Sequence, residues 1–524
     1  MARPVYIRRI GHISALGLSA AKAAQNMING DRKLSRHVLL GESWPCFTVP
    51  LAEKNWLGRV RRALRLVADE LAASTLPEAP LFIGSSSFGV GIVEAVARAT
   101  KIVGLGSEDD VAILVEESRS AFDNNASPWL FSTACTSGLA AIEAAFTLIG
   151  QRETDEVLAL GVEFACDSTF AGFSSLGLLA RTEEAGNNLI LGEAAAGLWL
   201  SSTPGPDRQN WRIAACRLNI DGHAPTMPSP DGRVIADNIA AALKDARLAP
   251  RDIALLKPHR GGLPGADEAE IAALTRIFGE NQPPEINFKA RMGHTLGACG
   301  PAELTALLAL LDTPAGQARY GSPRRVLFNL VGFGGNIATL ILERDSPLSV
   351  NERPAEKPKN IHIGKLIEHR LKSADLSTLA RQRSAVSLRR AGPMTELIVV
   401  GVADCLAGLP ERPTMVLWGS ENGARSAGDR LVSSIVLDRE APFPFDFLAT
   451  QPIIAAIALQ KSFPYIDNAL NQPGANNPEL RWHQMRTLAT AWLNAGRFAR
   501  VLLGWIEPGA HEHFGQWQML ELQS

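Results

Sequence analysis

Apolar positions recur with helical period in some stretches of the chain and run unbroken in others. Over residues 55–74, Val60, Leu64, Val67 and Leu71 share one face, which predicts an amphipathic helix. Arg59, Arg61, Arg62 and Arg65 fall on its other side and are expected to form a solvated face. Residues 81–84 and 157–162 are apolar without polar alternation, as expected of strands covered on both faces. Residues 5–10 predict a strand, followed by a glycine turn and a helix from Ser19, and a long helical stretch runs to about Asn124. The apolar segment 189–199 is interrupted by Gly192-Glu193, and Glu193, inside a strand pattern, is expected to be structural. After a turn at 228–233, helices over 234–248, 266–278 and 299–311 alternate with extended segments at 253–257, 286–289, 326–329 and 336–342. That alternation predicts a layered α/β fold with helices covering sheets.

Between 345 and 359 the composition changes, with Ser346-Pro347, Arg353-Pro354 and Lys357-Pro358 set among charged residues, which reads as a linker. Beyond it the chain starts again. Val402 to Ala407 echoes Val67 to Ala72, and Val416 to Ser420 echoes Leu81 to Ser85. The spacing from Val402 to Gly419 equals that from Val67 to Gly84. Val501 to Glu507 likewise resembles Val157 to Glu163. Three echoes in order indicate a partial duplication.

At 524 residues, 46% hydrophobic and 20% charged, the chain has the balance of a soluble protein with more than one core. A net charge of −2 gives no overall field for nucleic acid or an anionic membrane. Six cysteines, at 46, 135, 166, 216, 299 and 405, form no CxxC or Cys/His ligand pattern, which points to a reducing cytoplasm without disulfides or structural zinc. Arg3, Arg8 and Arg9 precede residues 11–21, but His12, Ser14, Ser19 and Lys22 make that segment a poor signal sequence, and no run is apolar enough to span a membrane. No glycine-rich dinucleotide or P-loop spacing occurs.

Candidate chemistry begins at Phe131-Ser132-Thr133-Ala134-Cys135-Thr136-Ser137-Gly138, where a strand end meets an alanine-rich helix. A thiol on a tight turn at a helix N-terminus is favoured as the thiolate, the nucleophile that acyl transfer needs. A lone cysteine is more often a packed core residue, but two histidines follow. One is His259 in Lys257-Pro258-His259-Arg260-Gly261-Gly262, and the other His294 in Lys289-Ala290-Arg291-Met292-Gly293-His294-Thr295. Gly332-Phe333-Gly334-Gly335-Asn336 closes the set. No cysteine stands at 476–479, where the duplicated segment should place its nucleophile, so that segment is expected to be non-catalytic.

In this order the motifs resemble the β-ketoacyl-[acyl carrier protein] synthases, over residues 5–343. The resemblance implies a thiolase fold, two similar α/β halves in a five-layered αβαβα arrangement. Its N-terminal half would be 1–210 and its C-terminal half 211–345. A linker over 346–374 and a degenerate ketosynthase-like α/β half-domain over 375–524 would follow, packed on the catalytic body or the dimer or serving as a partner surface. It also implies roles. Cys135 would take an acyl group from a carrier-protein thioester, and its amide with that of Phe333 would form an oxyanion hole. His259 and His294 would bind the malonyl thioester carbonyl and assist loss of carbon dioxide. Lys289 would support the second histidine region, paired with Glu270, while Asp267 and Glu270 keep the later acidic positions. Gly261 and Leu263 stand where the family has threonines that contact the pantetheine arm, which implies altered pantetheine binding or an unusual substrate. The stretch 181–190 is short and lacks the family's Arg-Pro-Phe-Asp segment.

The implied partners are an acyl carrier protein, whose phosphopantetheine carries the substrates, and a second copy or a paralogue in a dimer. No cofactor or metal is implied. Two rivals remain: thiolase-type acyl transfer without decarboxylation, and a chain-length-factor-like scaffold. Two histidines with Lys289 favour the condensation over the first rival, because thiolases pair one histidine with a second cysteine. Cys299, five residues past His294, reads as a packing residue at a helix start. The presence of Cys135 argues against the scaffold for the catalytic body.

Overall fold

Most of the unbroken apolar runs become strands buried on both faces. The computed structural model describes residues 3–104, 110–183, 188–205, 211–344, 359–388, 391–474 and 477–523. Its strands, in chain order, are β1 (Val5–Ser14), β2 (Ser35–Leu39), β3 (Glu42–Phe47), β4 (Leu81–Gly84), β5 (Trp129–Phe131), β6 (Glu156–Glu163), β7 (Leu191–Gly192), β8 (Ala194–Ser201), β9 (Trp211–Ile220), β10 (Leu255–Lys257), β11 (Arg325–Val331) and β12 (Asn336–Arg344). Nine of them form one sheet in the order β10-β11-β12-β9-β1-β8-β6-β4-β5. The halves β10-β11-β12-β9 and β1-β8-β6-β4-β5 meet only at two residue pairs, Val5 with Ile213 and Tyr6 with Arg212.

Helices Trp56–Leu71 and Asp110–Phe122 cover the outside of the first half, and Arg233–Ala246 and Pro264–Phe278 the outside of the second. Between the halves lie helices Ser137–Gly150 and Cys299–Leu311, so the layers alternate helix and sheet as expected. The two central helices cross at small residues. A Cβ on Gly138 would lie 2.3 Å from the Pro301 ring, and one on Gly300 would lie 2.7 Å from Leu139. This crossing fixes the helix start just after Cys135. Among the described residues no single helix is long and apolar enough to cross a membrane.

The C-terminal segment repeats the first half strand for strand. Its strands are β13 (Ile361–Ile363), β14 (Ile367–Lys372), β15 (Thr414–Ser420), β16 (Ile466–Pro473), β17 (Arg500–Glu507) and β18 (Glu512–Leu522). β14-β18-β17-β15-β16 has the order and directions of β1-β8-β6-β4-β5. One hydrogen-bonding device is copied as well. Glu163 at the end of β6 accepts from the Ser86 amide (2.8 Å), and Glu507 at the end of β17 accepts from the Glu421 and Asn422 amides (2.6 and 3.1 Å). The copy packs directly on the original. Ser132 N–H donates to Asn471 C=O at 2.9 Å, setting β16 beside β5, and helix Pro478–Asn494 lies along helix Ser137–Gly150. Glu143, a lone carboxylate in an apolar helix, accepts from Trp492 Nε1 (3.1 Å) and pairs with Arg497 (2.6 Å) across this contact. One apolar core runs through both units, from Leu139 and Leu148 to Met415, Leu470 and Trp492.

Several expectations need correction. β1 continues through Gly11 to Ser14, because Gly11 is not a turn but the point where helix Trp56–Leu71 comes closest; a Cβ there would sit 2.8 Å from Val67 C=O. The stretch running to Asn124 holds two helices, Val90–Thr100 and Asp110–Phe122, with 105–109 outside the described residues. Lys289 is not extended but opens the short helix Lys289–Met292. Residues 361–372, read as linker, form β13 and β14 against β18; 345–358 lie outside the described residues. Arg59 leaves the solvated face and pairs with buried Glu193 (2.7 Å), while Arg62 and Arg65 remain exposed. Helix Pro478–Asn494 differs from helix Ser137–Gly150 in a way that suits an unpaired half. Its outward positions His483 and Arg486 are polar and exposed, so no apolar face awaits a second layer.

His12 ties β1 to the central layer, with Nε2 2.7 Å from Ser14 Oγ and Nδ1 2.9 Å from Thr305 Oγ1. Burial pushes it down to about 4 from 6.5. The unfolded chain therefore binds the extra proton, and stability held above pH 6.5 falls as pH drops toward 4, by roughly 1.4 kcal/mol per pH unit across that window. Urea unfolding between pH 4 and 7 should show this slope, and His12→Gln should flatten it. A chain nicked at a protease site engineered between 345 and 358 should still elute as one particle, because both fragments share one core.

Candidate active site

Cys135 sits two residues before helix Ser137–Gly150, on a turn held by its own hydroxyls. Thr133 N–H donates to Ser137 Oγ (2.9 Å), Ser137 Oγ donates to Ala134 C=O (2.6 Å), and Thr136 Oγ1 donates to Thr133 C=O (2.8 Å). These bonds hold Ala134 at φ 53°, a left-handed conformation that costs a β-carbon residue about 1–3 kcal/mol. The turn Gly332–Gly335 closes over it. A Cβ on Gly332 would lie 3.3 Å from the Cys135 amide nitrogen, and Gly334 and Gly335 take φ of 74° and 72°. Phe333 and Cys135 line the same largely apolar cavity. The structure thus sets the glycine-rich turn that carries Phe333 against the Cys135 amide.

His259 follows β10 and His294 follows helix Lys289–Met292, and their rings stand edge to face with centroids 5.4 Å apart. His294 N–H donates to Ile190 C=O (2.8 Å), and its Nδ1 accepts from the Leu296 amide (3.1 Å). In the neutral ring the proton is then on Nε2, which becomes a donor. His259 is pushed well below its ordinary value, first by burial and then by the positive charge of Lys289 with His294 and Lys257. It is a neutral imidazole at physiological pH.

The acidic supports differ from the expected pairing. Lys289 does not pair with Glu270. Its Nζ donates to Glu303 Oε1 at 2.5 Å and to His259 C=O at 2.8 Å. Glu270 instead accepts from the His259 amide (2.7 Å), the Arg260 amide (3.1 Å) and Asn329 Nδ2 (2.6 Å), which locks the backbone at His259. The reason is topological. Glu303 lies on the central helix beneath the site, whereas Glu270 belongs to the outer helix and reaches only the strand end. Asp267 accepts from the Gly261 and Gly262 amides (2.9 and 3.0 Å) and shapes the loop after His259. A Cβ at Gly261 would lie 2.9 Å from His259 Nε2, so the glycine leaves that nitrogen uncrowded. Cys299 begins its helix as expected, and its sulfur lies 3.7 Å from His294 Nδ1.

Three residues escaped the sequence reading: Glu303, Lys257 and Glu163. Glu163 accepts from the Gly297 amide (3.1 Å) and the Ser86 amide and hydroxyl (both 2.8 Å), joining the His294 loop to the loop after β4. Glu303 had a visible signal, a single carboxylate within the otherwise apolar 299–311, since a buried charge demands a partner.

Comparison with known proteins agrees with this geometry. Residues 120–203 match the β-ketoacyl synthase N-terminal domain and residues 211–315 its C-terminal domain. The chain is 28% identical over 249 residues to the 3-oxoacyl-[acyl-carrier-protein] synthase 2 of Mycobacterium bovis, covering 40% of this chain and 60% of the relative. It is 26% identical over 396 residues to a mycocerosic acid synthase-like polyketide synthase of Mycobacterium tuberculosis, covering 62% of this chain and 18% of that one. Among solved structures, the PfaC keto synthase–chain length factor superposes with a TM-score of 0.77 at 12% identity, over 99% of this chain and 78% of that one. The ketosynthase of Xenorhabdus doucetiae solved with its chain length factor gives 0.55 at 24% identity, over 66% of this chain and 98% of that one. These likenesses place the chain in the thiolase-type architecture, including its C-terminal unit.

Replacing Glu303 by alanine strands two buried ammonium groups and is expected to cost roughly 3–5 kcal/mol in urea unfolding. Adding Lys257→Met should return part of that loss, because one of the two stranded charges is then gone.

Proposed function

We propose that this chain, which carries the N- and C-terminal domains of a β-ketoacyl synthase over residues 120–315, catalyses a decarboxylative Claisen condensation of an acyl thioester with a malonyl thioester. The observation that carries this reading is a cysteine at a helix start under a glycine-rich turn, in a cavity that Leu296, two residues past His294 of the imidazole pair, also lines. The chain spans 60% of the length of the curated synthases it matches, so the activity rests on this site.

The Cys135 sulfur attacks the thioester carbonyl of the donor, and the oxyanion is held by the Cys135 and Phe333 amides. The departing pantetheine thiol takes the proton that the cysteine gave up. The malonyl thioester then accepts hydrogen bonds on its carbonyl oxygen from His259 and His294. Its carbon–carboxylate bond breaks, carbon dioxide leaves, and the electron pair becomes an enolate. The enolate carbon attacks the acyl carbon on Cys135 and expels the cysteine thiolate, leaving a β-ketoacyl thioester two carbons longer. An acyl carrier protein would present both substrates on its phosphopantetheine, and the reaction draws on no metal or redox cofactor. With glycine at 261 and Leu263 buried, the arm is held without hydroxyls at those positions. Six free, buried thiols suit a cytoplasmic setting.

A scaffold role fits the C-terminal unit. It contributes Leu431, Val432 and Phe447 to the cavity that Cys135 lines. Phe447 packs on Phe173 (5.1 Å between centroids), which packs on Phe333 (5.5 Å), and a Cβ on Gly172 would sit 2.1 Å from the Phe447 ring. Ile453 C=O lies 2.8 Å from where a Cβ of Gly334 would be. The unit therefore both bounds the acyl cavity and braces the oxyanion turn. Because it covers the β5 edge, a second copy of the chain does not dock there.

Incubation with acyl carrier proteins bearing different chains should give an acyl adduct in intact-mass spectra of the wild type and none in Cys135→Ala; no adduct from any donor would count against the reading. Phe447→Ala should shift acceptance toward longer donors. A ratio change of tenfold or more is expected, since one methylene in an apolar pocket is worth about 1–3 kcal/mol.

A further inference from the structure

Two lysines share one buried carboxylate behind the imidazole pair. Lys289 Nζ bonds Glu303 Oε1 and the His259 carbonyl. Lys257, at the end of β10 and only two residues before His259, is fully buried and forms an ion pair with Glu303 Oε2. Beyond that contact, neither Lys257 Nζ nor Glu303 Oε2 has a hydrogen-bond partner. The Lys257 ammonium lies 4.0 Å from the centre of the Phe328 ring. An ammonium with so little local compensation is expensive to bury and calls for a reason.

The charges around His259 supply one. Glu303 on the central helix and Glu270 on the outer helix are both carboxylates within its supporting shell, and Lys289 alone would leave them in excess. His294 and the Cys299 thiol complete the near groups, and Arg260 is engaged farther out with Glu285 (2.8 Å). Lys257 balances the second of these two carboxylates, while Asp267, farther along the loop, is met by the Gly261 and Gly262 amides. We propose that Lys257 is a positioning residue that cancels the second buried carboxylate behind His259, so that an anion can form against the imidazole pair without repulsion. This rests on the condensation reading, in which that anion is the thioester enolate. The ammonium touches no substrate and acts through His259 and Glu303. Burial and Lys289 push Lys257 down to about 8 despite Glu303, so it carries its charge at neutral pH.

The test separates this inference from the reading beneath it. Histidine ring 13C NMR follows the His259 titration in the folded protein, with the signal assigned by its absence in His259→Gln. Removing a nearby positive charge should raise its midpoint by about one pH unit in Lys257→Met. The same variant should slow carbon dioxide release from a malonyl thioester roughly tenfold more than it slows acylation of Cys135, and Lys257→Arg should restore both readouts. Should Lys257→Met not fold, Lys257→Gln gives the same comparison. An unmoved His259 midpoint overturns the proposal whatever the enzyme does. A raised midpoint with both half-reactions slowed equally also overturns it, by showing that the charge does not serve the anion. If no thioester is condensed even by the wild type, the functional reading fails while the His259 midpoint still reports on Lys257.

Discussion

An open strand edge four residues before Cys135 is a structural liability, and much of this molecule answers it. β5 ends the nine-stranded sheet, so its outer backbone groups need a partner other than water. β16 provides one through the Ser132–Asn471 contact, and helix Pro478–Asn494 covers the neighbouring flank. The cover repeats the strand order of the half it covers. Glu143 shows how far the two units depend on each other, since its buried carboxylate is met by Trp492 and Arg497 as well as by Thr147 of its own helix.

The second organising constraint is electrostatic. The site keeps the His259 imidazole neutral while surrounding it with fixed charges, and it does so with groups set behind the ring. Glu270 holds the backbone, Glu303 gathers two lysines, and Glu163 ties the loops. Each carboxylate is deeply buried, so each has to be met by donors or cations. The geometry at Cys135, His259 and His294 follows from satisfying those demands.

The chemistry was more legible in the chain than its supports were. Cys135, His259 and His294 are marked by local surroundings that survive in one dimension: a small-residue turn, a strand end, a glycine before the histidine. The duplication was legible for the same reason, because β15 and β17 keep the apolar runs of β4 and β6 and even the terminal glutamate. Pairings between distant segments were not. Nothing near Lys289 in the chain says that its carboxylate lies on the central helix rather than the outer one. Gly11 looks like a turn until the Val67 carbonyl presses on it, and Arg59 looks solvated until Glu193 folds beneath it. The strands β2, β3 and β9 carry mixed patterns that only their neighbours resolve.

In the proposed condensation one chain joins two thioesters through Cys135 and the two histidines. The most direct measurement loads Cys135 with an acyl group, removes free donor, and adds malonyl carrier protein at enzyme concentrations low enough to exclude self-association. Carbon dioxide should be released in step with a β-ketoacyl product two carbons longer, at a rate per chain that does not depend on enzyme concentration. Carbon dioxide without product, product without carbon dioxide, or a rate per chain that rises with concentration would contradict the proposed condensation.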